Sequence, residues 1–188
     1  LVIGLKSRWL INYSLILISN ALVRIFIPFT LIGVSIYATN NNIGLFNNIN
    51  ISKMSIYAIS FIALDLLIYL QHVAFHHVPF LWRFHKIHHI DQEIDLSTGL
   101  RFHPIEILFS IFIKASAILL LGLPMVSVII FEIILNAMSM FSHSNLRLPP
   151  YIDKFIRLIF VTPDMHRVHH STDTNETNSN FGFNFSFW

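Results

Sequence analysis

The chain has 188 residues, of which 54% are hydrophobic and only 12% charged, with a formal net charge of +2. A soluble domain carries about 25% charged residues, so this composition points to a bilayer as the main solvent. Cysteine is absent, which excludes disulfides, thiolate zinc sites and cysteine-ligated iron–sulfur clusters. The charge is too small and too unpatterned for nucleic acid, and the glycines never fall into a dinucleotide or phosphate-loop spacing.

In chain order, the first long apolar stretch covers residues 10–37, interrupted by Arg24 and Pro28, and the second covers 55–74. The third, 105–141, is too long for one crossing; Gly122 and Pro124 near its middle predict a helical hairpin of two spans. Residues 151–160 are shorter and amphipathic, as an interfacial segment would be. The expected fold is all-α: an integral membrane bundle of about four transmembrane helices with a histidine-rich cap. Nine basic residues (Lys6, Arg8, Arg83, Lys86, Arg101, Arg147, Lys154, Arg157, Arg167) fall on the cap side. Lys53 alone accompanies the asparagine-rich loop 39–52 on the other, which predicts a cytoplasmic cap. Lys114 and Glu132 lie within spans and are expected to pair or snorkel.

All eleven histidines lie between residues 72 and 170. His72 and His76 are four apart at the end of the second span, His85, His88 and His89 form FHKIHH, and His166, His169 and His170 form MHRVHH. Positions i, i+3 and i+4 share a helix face, so HxxxH can aim two imidazoles at one centre and each HxxHH three. Eight histidines in three such groups suit two metal ions, although neutral imidazole alone does not choose among iron, zinc and copper. One HxxxH is weak evidence; three groups meeting on one side of a membrane are strong evidence.

The run DLLIYLQHVAFHHVPFLWRFHKIHH, followed by LRFHPIE, FSHSN, TPDMHRVHHS and NSNFG, occupies residues 65–182. In motif order and spacing it resembles the fatty acid hydroxylase superfamily, which includes sterol desaturases, sterol methyl oxidases and alkylglycerol monooxygenase. The resemblance implies a single membrane domain over 1–188 with its motif core at 65–182. It also implies a non-haem di-iron oxidoreductase that uses dioxygen as co-substrate to hydroxylate or desaturate a lipid C–H bond. Carried over by position, the metal ligands would be His72, His76, His85, His88, His89, His166, His169 and His170, joined by His143. No catalytic residue is expected beyond the metal centre.

Two departures from the family pattern stand out. Val73 occupies the arginine position of HRxxH, and His77 falls where a basic residue is common, so it is left out of the ligand set. Arg147 stands where some hydroxylases carry a further histidine, leaving one metal with fewer protein ligands, or with water or Asn145 instead. Further candidates for metal or supporting contacts are His103, Asp65, Asn145, Asp164, Asn180 and Glu106, with Trp82 beside them. His103, in an HPxE context, also reads as a brace to Arg101 or Glu106, and Asp164 equally as a helix cap. Asp65 precedes His72 by two helical turns and so could share its face.

Attack on an unactivated C–H bond needs a redox-active metal, so the two iron ions that the resemblance implies are the expected cofactor, with zinc a substitute without that chemistry. No Glu-x-x-His pair of the soluble di-iron type accompanies the histidines. Electrons would come from a separate cytochrome b5-like protein, ferredoxin or flavoprotein reductase. Arg83, Lys86, Lys154 and Arg157 could form part of its docking face, though positive-inside topology explains them as well. Sterol, fatty acyl, carotenoid and ether lipid all remain open as substrates, and the membrane is a bacterial inner membrane or the endoplasmic reticulum. The rival readings are a bis-histidine haem cytochrome and a zinc-binding membrane protein. Beginning at Leu1 and stopping at Trp188 after an apolar run, the sequence reads as a fragment of a longer protein.

Overall fold

The computed structural model describes residues 4–91 and 93–188; residues 1–3 and Gln92 of the domain read over 1–188 lie outside the described residues. Helix α1 (Leu5–Phe26) stops ahead of Pro28, which lacks an N–H to continue it, and α2 (Leu31–Asn40) restarts behind Thr30, whose hydroxyl accepts from Gly33 N. Next come α3 (Lys53–His77), capped by Ser52, and α4 (Pro79–His89), which begins on a proline. Helices α5 (Pro104–Leu121) and α6 (Met125–Ser142) form the hairpin that Gly122 and Pro124 predict, with Gly122 in the left-handed conformation at φ 68°. Three short helices close the chain: α7 (Pro150–Ile156), α8 (Pro163–His169) and α9 (Thr174–Thr177). Among the described residues no strand forms, only an isolated antiparallel bridge between Phe160 and Phe185.

Among the described residues, four helical segments are long and apolar enough to cross a membrane: Leu5–Asn47, Lys53–His77, Pro104–Leu121 and Met125–Ser142. They pack on a core of Phe46, Leu64, Ile68, Ile118, Leu123, Val128 and Phe131. Leu17, Ile25, Met54, Leu120 and Ile133 instead point outward and are more than 60% exposed, as lipid-facing side chains are. Lys114 Nζ meets Glu132 Oε1 at 2.6 Å between α5 and α6, so these two in-span charges pair with each other.

The first crossing, expected over 10–37, lies within the long apolar segment Leu5–Asn47. Ser19 donates to Phe102 O, just ahead of α5, and Ser35 donates to Leu123 O, just past its end. The chain therefore runs beside α5 between Ser19 and Ser35. The earlier part of α1 lies against the cap, because its buried Arg8 and Asn12 bond there to Asp91, Ser97 and Arg101. Arg8 and Asn12 would be costly in hydrocarbon without partners, and the cap supplies them.

On the opposite side, Gly44 (φ 94°) abuts Gly122: a Cβ on Gly44 would come within 2.1 Å of Gly122 N. Loop 41–48 is thus seated on the α5–α6 turn. Its asparagines are structural, with Asn47 donating to Ile43 O and Asn48 to Gly44 O.

Candidate metal centre

Four elements carry the histidines to one place. The end of α3 supplies His72 and His76, α4 supplies His85, His88 and His89, the end of α6 supplies His143, and α8 with its C-cap supplies His166, His169 and His170. They assemble into two adjoining groups, His72, His76, His85, His89 and His169 in the first and His88, His143, His166 and His170 in the second. Within each, the candidate ligand atoms lie within 4.8 Å of one another. The groups touch where the rings of His89 and His170 stack at 4.3 Å.

Each HxxHH is divided between the groups, which corrects the expectation that it aims all three rings at one centre. His85 and His89 enter the first group and His88 the second; His166 and His170 enter the second and His169 the first. The reason is angular. Consecutive helical residues diverge by about 100°, so i and i+4 nearly superpose whereas i+3 and i+4 point to different sides.

Hydrogen bonds behind the rings fix the tautomers. His72 Nδ1 donates to Phe181 O (2.8 Å) and His169 Nδ1 to Ser179 O (2.7 Å). In the second group His143 Nδ1 donates to Ser139 O (2.7 Å) and His88 Nδ1 to Arg101 O (3.3 Å). A carbonyl oxygen only accepts, so each of these four neutral rings presents a bare Nε2 lone pair. Those lone pairs face each other: His72 and His169 at 3.1 Å, His88 and His143 at 3.0 Å. His85 Nδ1 sits 2.7 Å from Glu106 Oε1, with its Nε2 3.1 Å from that of His72. His166 Nε2 lies 2.9 Å from that of His143.

Burial holds the rings neutral. It drives His85, His88, His166, His169 and His170 well below the ordinary imidazole value, with the neighbouring histidines adding to the shift. His89 is lowered to about 2 and His143 to about 4, burial again being the main cause. Among the described residues, buried nitrogens without a partner remain on His89, His166 and His170. Converging lone pairs and orphaned buried donors fit divalent cations, which neutral imidazoles ligate.

The remaining candidates go elsewhere, Glu106 and Trp82 excepted. His103 accepts from Ile105 N at the start of α5, outside both groups. Asp65 bonds Asn184, Phe185 and Trp188 rather than any imidazole. Asp164 pairs with Arg167, and Arg167 reaches Ser144 O and Leu146 O. Asn145 is exposed beside Arg8 and residues 93–97, and Asn180 donates to Met165 O. His77 bonds Val73 O within its own helix. Trp82 packs its ring 4.9 Å from His76 and 5.3 Å from His89. Sequence reading missed the four carbonyls behind the rings; only NSNFG, which spans Ser179 and Phe181, carried any signal of them.

The fatty acid hydroxylase family matches residues 57–188, which hold every histidine of both groups. An ornithine lipid hydroxylase of Rhizobium tropici, OlsE, is 35% identical over 124 residues, covering 64% of this chain and 36% of that protein. The chain therefore spans about a third of the length of this curated relative. No solved structure matches it.

Proposed function

The chain belongs to the fatty acid hydroxylase family, and from that premise we propose that it forms the metal-bearing part of a membrane enzyme that hydroxylates a lipid with dioxygen at a pair of irons. The observation that carries this reading is the opposition of bare Nε2 lone pairs at 3.0–3.1 Å inside two buried groups. Without a cation between them each pair is repulsive; with one, both nitrogens become ligands.

The nine ligands are His72, His76, His85, His89 and His169 for one ion, and His88, His143, His166 and His170 for the other. Iron suits the first donor set better than zinc, because five imidazoles exceed the four ligands of a tetrahedral zinc site. Haem fits poorly, because rings this close leave no slot for a porphyrin between them.

When bound, the iron pair supplies dioxygen activation and attack on the C–H bond. The chain's own residues hold the imidazoles neutral, orient His72, His85, His88, His143 and His169 from behind, and keep bulk water from the lone pairs by burial. Hydroxylation consumes dioxygen, two electrons and two protons per oxygen inserted, with water as the second product. The electrons come from a separate donor protein. The substrate is a membrane lipid, and hydroxylation is favoured over desaturation by the relative's activity. The cap faces the cytoplasm, supported by exposed Lys6, Arg83, Lys86, Arg147, Lys154 and Arg157 at the histidine end.

The test is metal analysis of the freshly purified chain, joined to lipid mass spectrometry under labelled dioxygen. Two irons per chain and label in a hydroxylated lipid are expected. Turnover without dioxygen, or label drawn from water, refutes the proposal.

A further inference from the structure

Asp65 is a buried carboxylate inside a candidate membrane span, 1% exposed, and it touches none of the imidazoles. Three N–H groups converge on it, all from the last turn of the chain: Asn184 Nδ2 at 2.7 Å, Trp188 Nε1 at 2.6 Å and Phe185 N at 3.4 Å. A charge at this depth is costly unless paired, and donors from one segment alone offset it. Residues 178–188 form a strap across α3 that Asp65 pins at one end.

The other end of the strap lies at the metal centre. Its carbonyls of Ser179 and Phe181 accept from His169 Nδ1 on α8 and His72 Nδ1 on α3. Asn180 between them is in the left-handed conformation at φ 52°, which sends the two carbonyls to different helices. From Phe181 to the anchor the path is short and stiff. A Cβ on Gly182 would stand 2.2 Å from Phe185 O, and Val161 N and Ser186 N bond the strand to the segment before α8. A tightly packed path thus joins Asp65 to Ser179 and Phe181.

We propose that Asp65 is a positioning residue for the first metal: by pinning the strap it holds the carbonyls that fix the tautomer and aim of His72 and His169. This rests on the two-metal reading above. It also predicts selectivity, because the second group takes its backing from Arg101 O and Ser139 O, neither of which belongs to the strap.

Cobalt(II) titration of the metal-free chain by calorimetry, comparing wild type, Asp65→Asn and Trp188→Phe, tests it. Wild type should take up two ions. Asparagine at 65 would turn an amide N–H toward the strap's own donors, so one ion should bind about 10–100-fold more weakly while the other changes by less than about twofold. Trp188→Phe keeps an aromatic ring against Tyr69 and removes one donor; it should shift the same ion in the same direction by less. Two ions held as in wild type by both variants, or both ions weakened equally, overturns the assignment of Asp65 and leaves the two-metal reading intact. Fewer than two ions in wild type refutes that reading and the inference with it. If Asp65→Asn loses its helical circular dichroism, Trp188→Phe alone decides.

Discussion

In the first histidine group three of five rings are engaged from behind: His72 and His169 by the strap carbonyls and His85 by the carboxylate of Glu106. In the second only His88 and His143 of four have such partners, and both are backbone carbonyls. His170 in addition lines an open groove of about 680 Å³ with Ile94, Arg167, Val168, Ser171, Thr172 and Glu176. The two groups draw on the same HxxHH motifs and the same ligand type, yet they differ in ligand number and in backing. Sites of identical chemistry are made inequivalent by what stands behind the rings, since a hydrogen-bonded Nδ1 fixes orientation and raises the basicity of the opposite nitrogen.

The largest effects come from removing a ring. His143→Ala leaves three imidazoles in the second group, and His85→Ala leaves four in the first. Both should cut hydroxylation by about 100-fold or more, since a ligand matters more than its support. They should differ in metal content: one ion lost from His143→Ala, and both retained, one of them weakly, in His85→Ala. Mass-spectrometric metal analysis after a brief chelator wash distinguishes them, and equal losses would break the inequivalence.

A smaller effect is expected from the support alone. Glu106→Ala strips the Nδ1 partner from His85 and should weaken the first ion about 10–100-fold, leaving the second untouched. Glu106→Gln retains an acceptor oxygen and should fall between the two. An equal change at both ions in the cobalt titration would show that Glu106 acts on the fold as a whole and not on one ring.

How much of this was legible depended on where the information sits. The bundle and its α5–α6 hairpin followed from apolar run length with Gly122 and Pro124, which are local properties. The nine clustered histidines were visible because each motif puts its rings on a helix face. Their division into five and four was not, because i+3 and i+4 choose different partners only once α3, α6 and α8 are docked. The supports were the least legible part: Ser179 and Phe181 act through backbone carbonyls, which any residue carries. Asp65 and Asp164 were conspicuous acids whose partners, Trp188 and Arg167, nothing local identified as more important than the nearby histidines.

Acidification should act on both groups through proton competition. Burial lowers His143 to about 4 from the ordinary 6.5. The metal-free fold thus binds fewer protons than the unfolded chain between those values. Its stability is full above pH 6.5 and declines as pH falls toward 4, by about 3 kcal/mol for this one ring. Bound metal favours the same neutral rings, so loaded protein should hold its melting temperature to lower pH than metal-free protein. Thermal melts from pH 7 to 4, with and without metal, measure the gap. A metal-free melting temperature unchanged between pH 7 and 5 would contradict rings held neutral by burial.

The smallest expected effect falls on the histidine that the division excludes. His103 Nδ1 accepts from Ile105 N at 3.1 Å, and its ring packs 5.1 Å from Phe84, so it serves as the N-cap of α5. Asparagine caps helices well, whereas alanine offers no acceptor. His103→Asn should therefore keep both ions and nearly full stability, while His103→Ala keeps both ions and loses about 0.5–2 kcal/mol. A ligand would show the reverse pattern, in which Asn and Ala each cost an ion and the cap chemistry makes no difference. If His103→Asn gave up a metal in the cobalt titration, the groups of five and four would have to be redrawn around a tenth ring, and with them the contrast between a well-supported site and a less supported one.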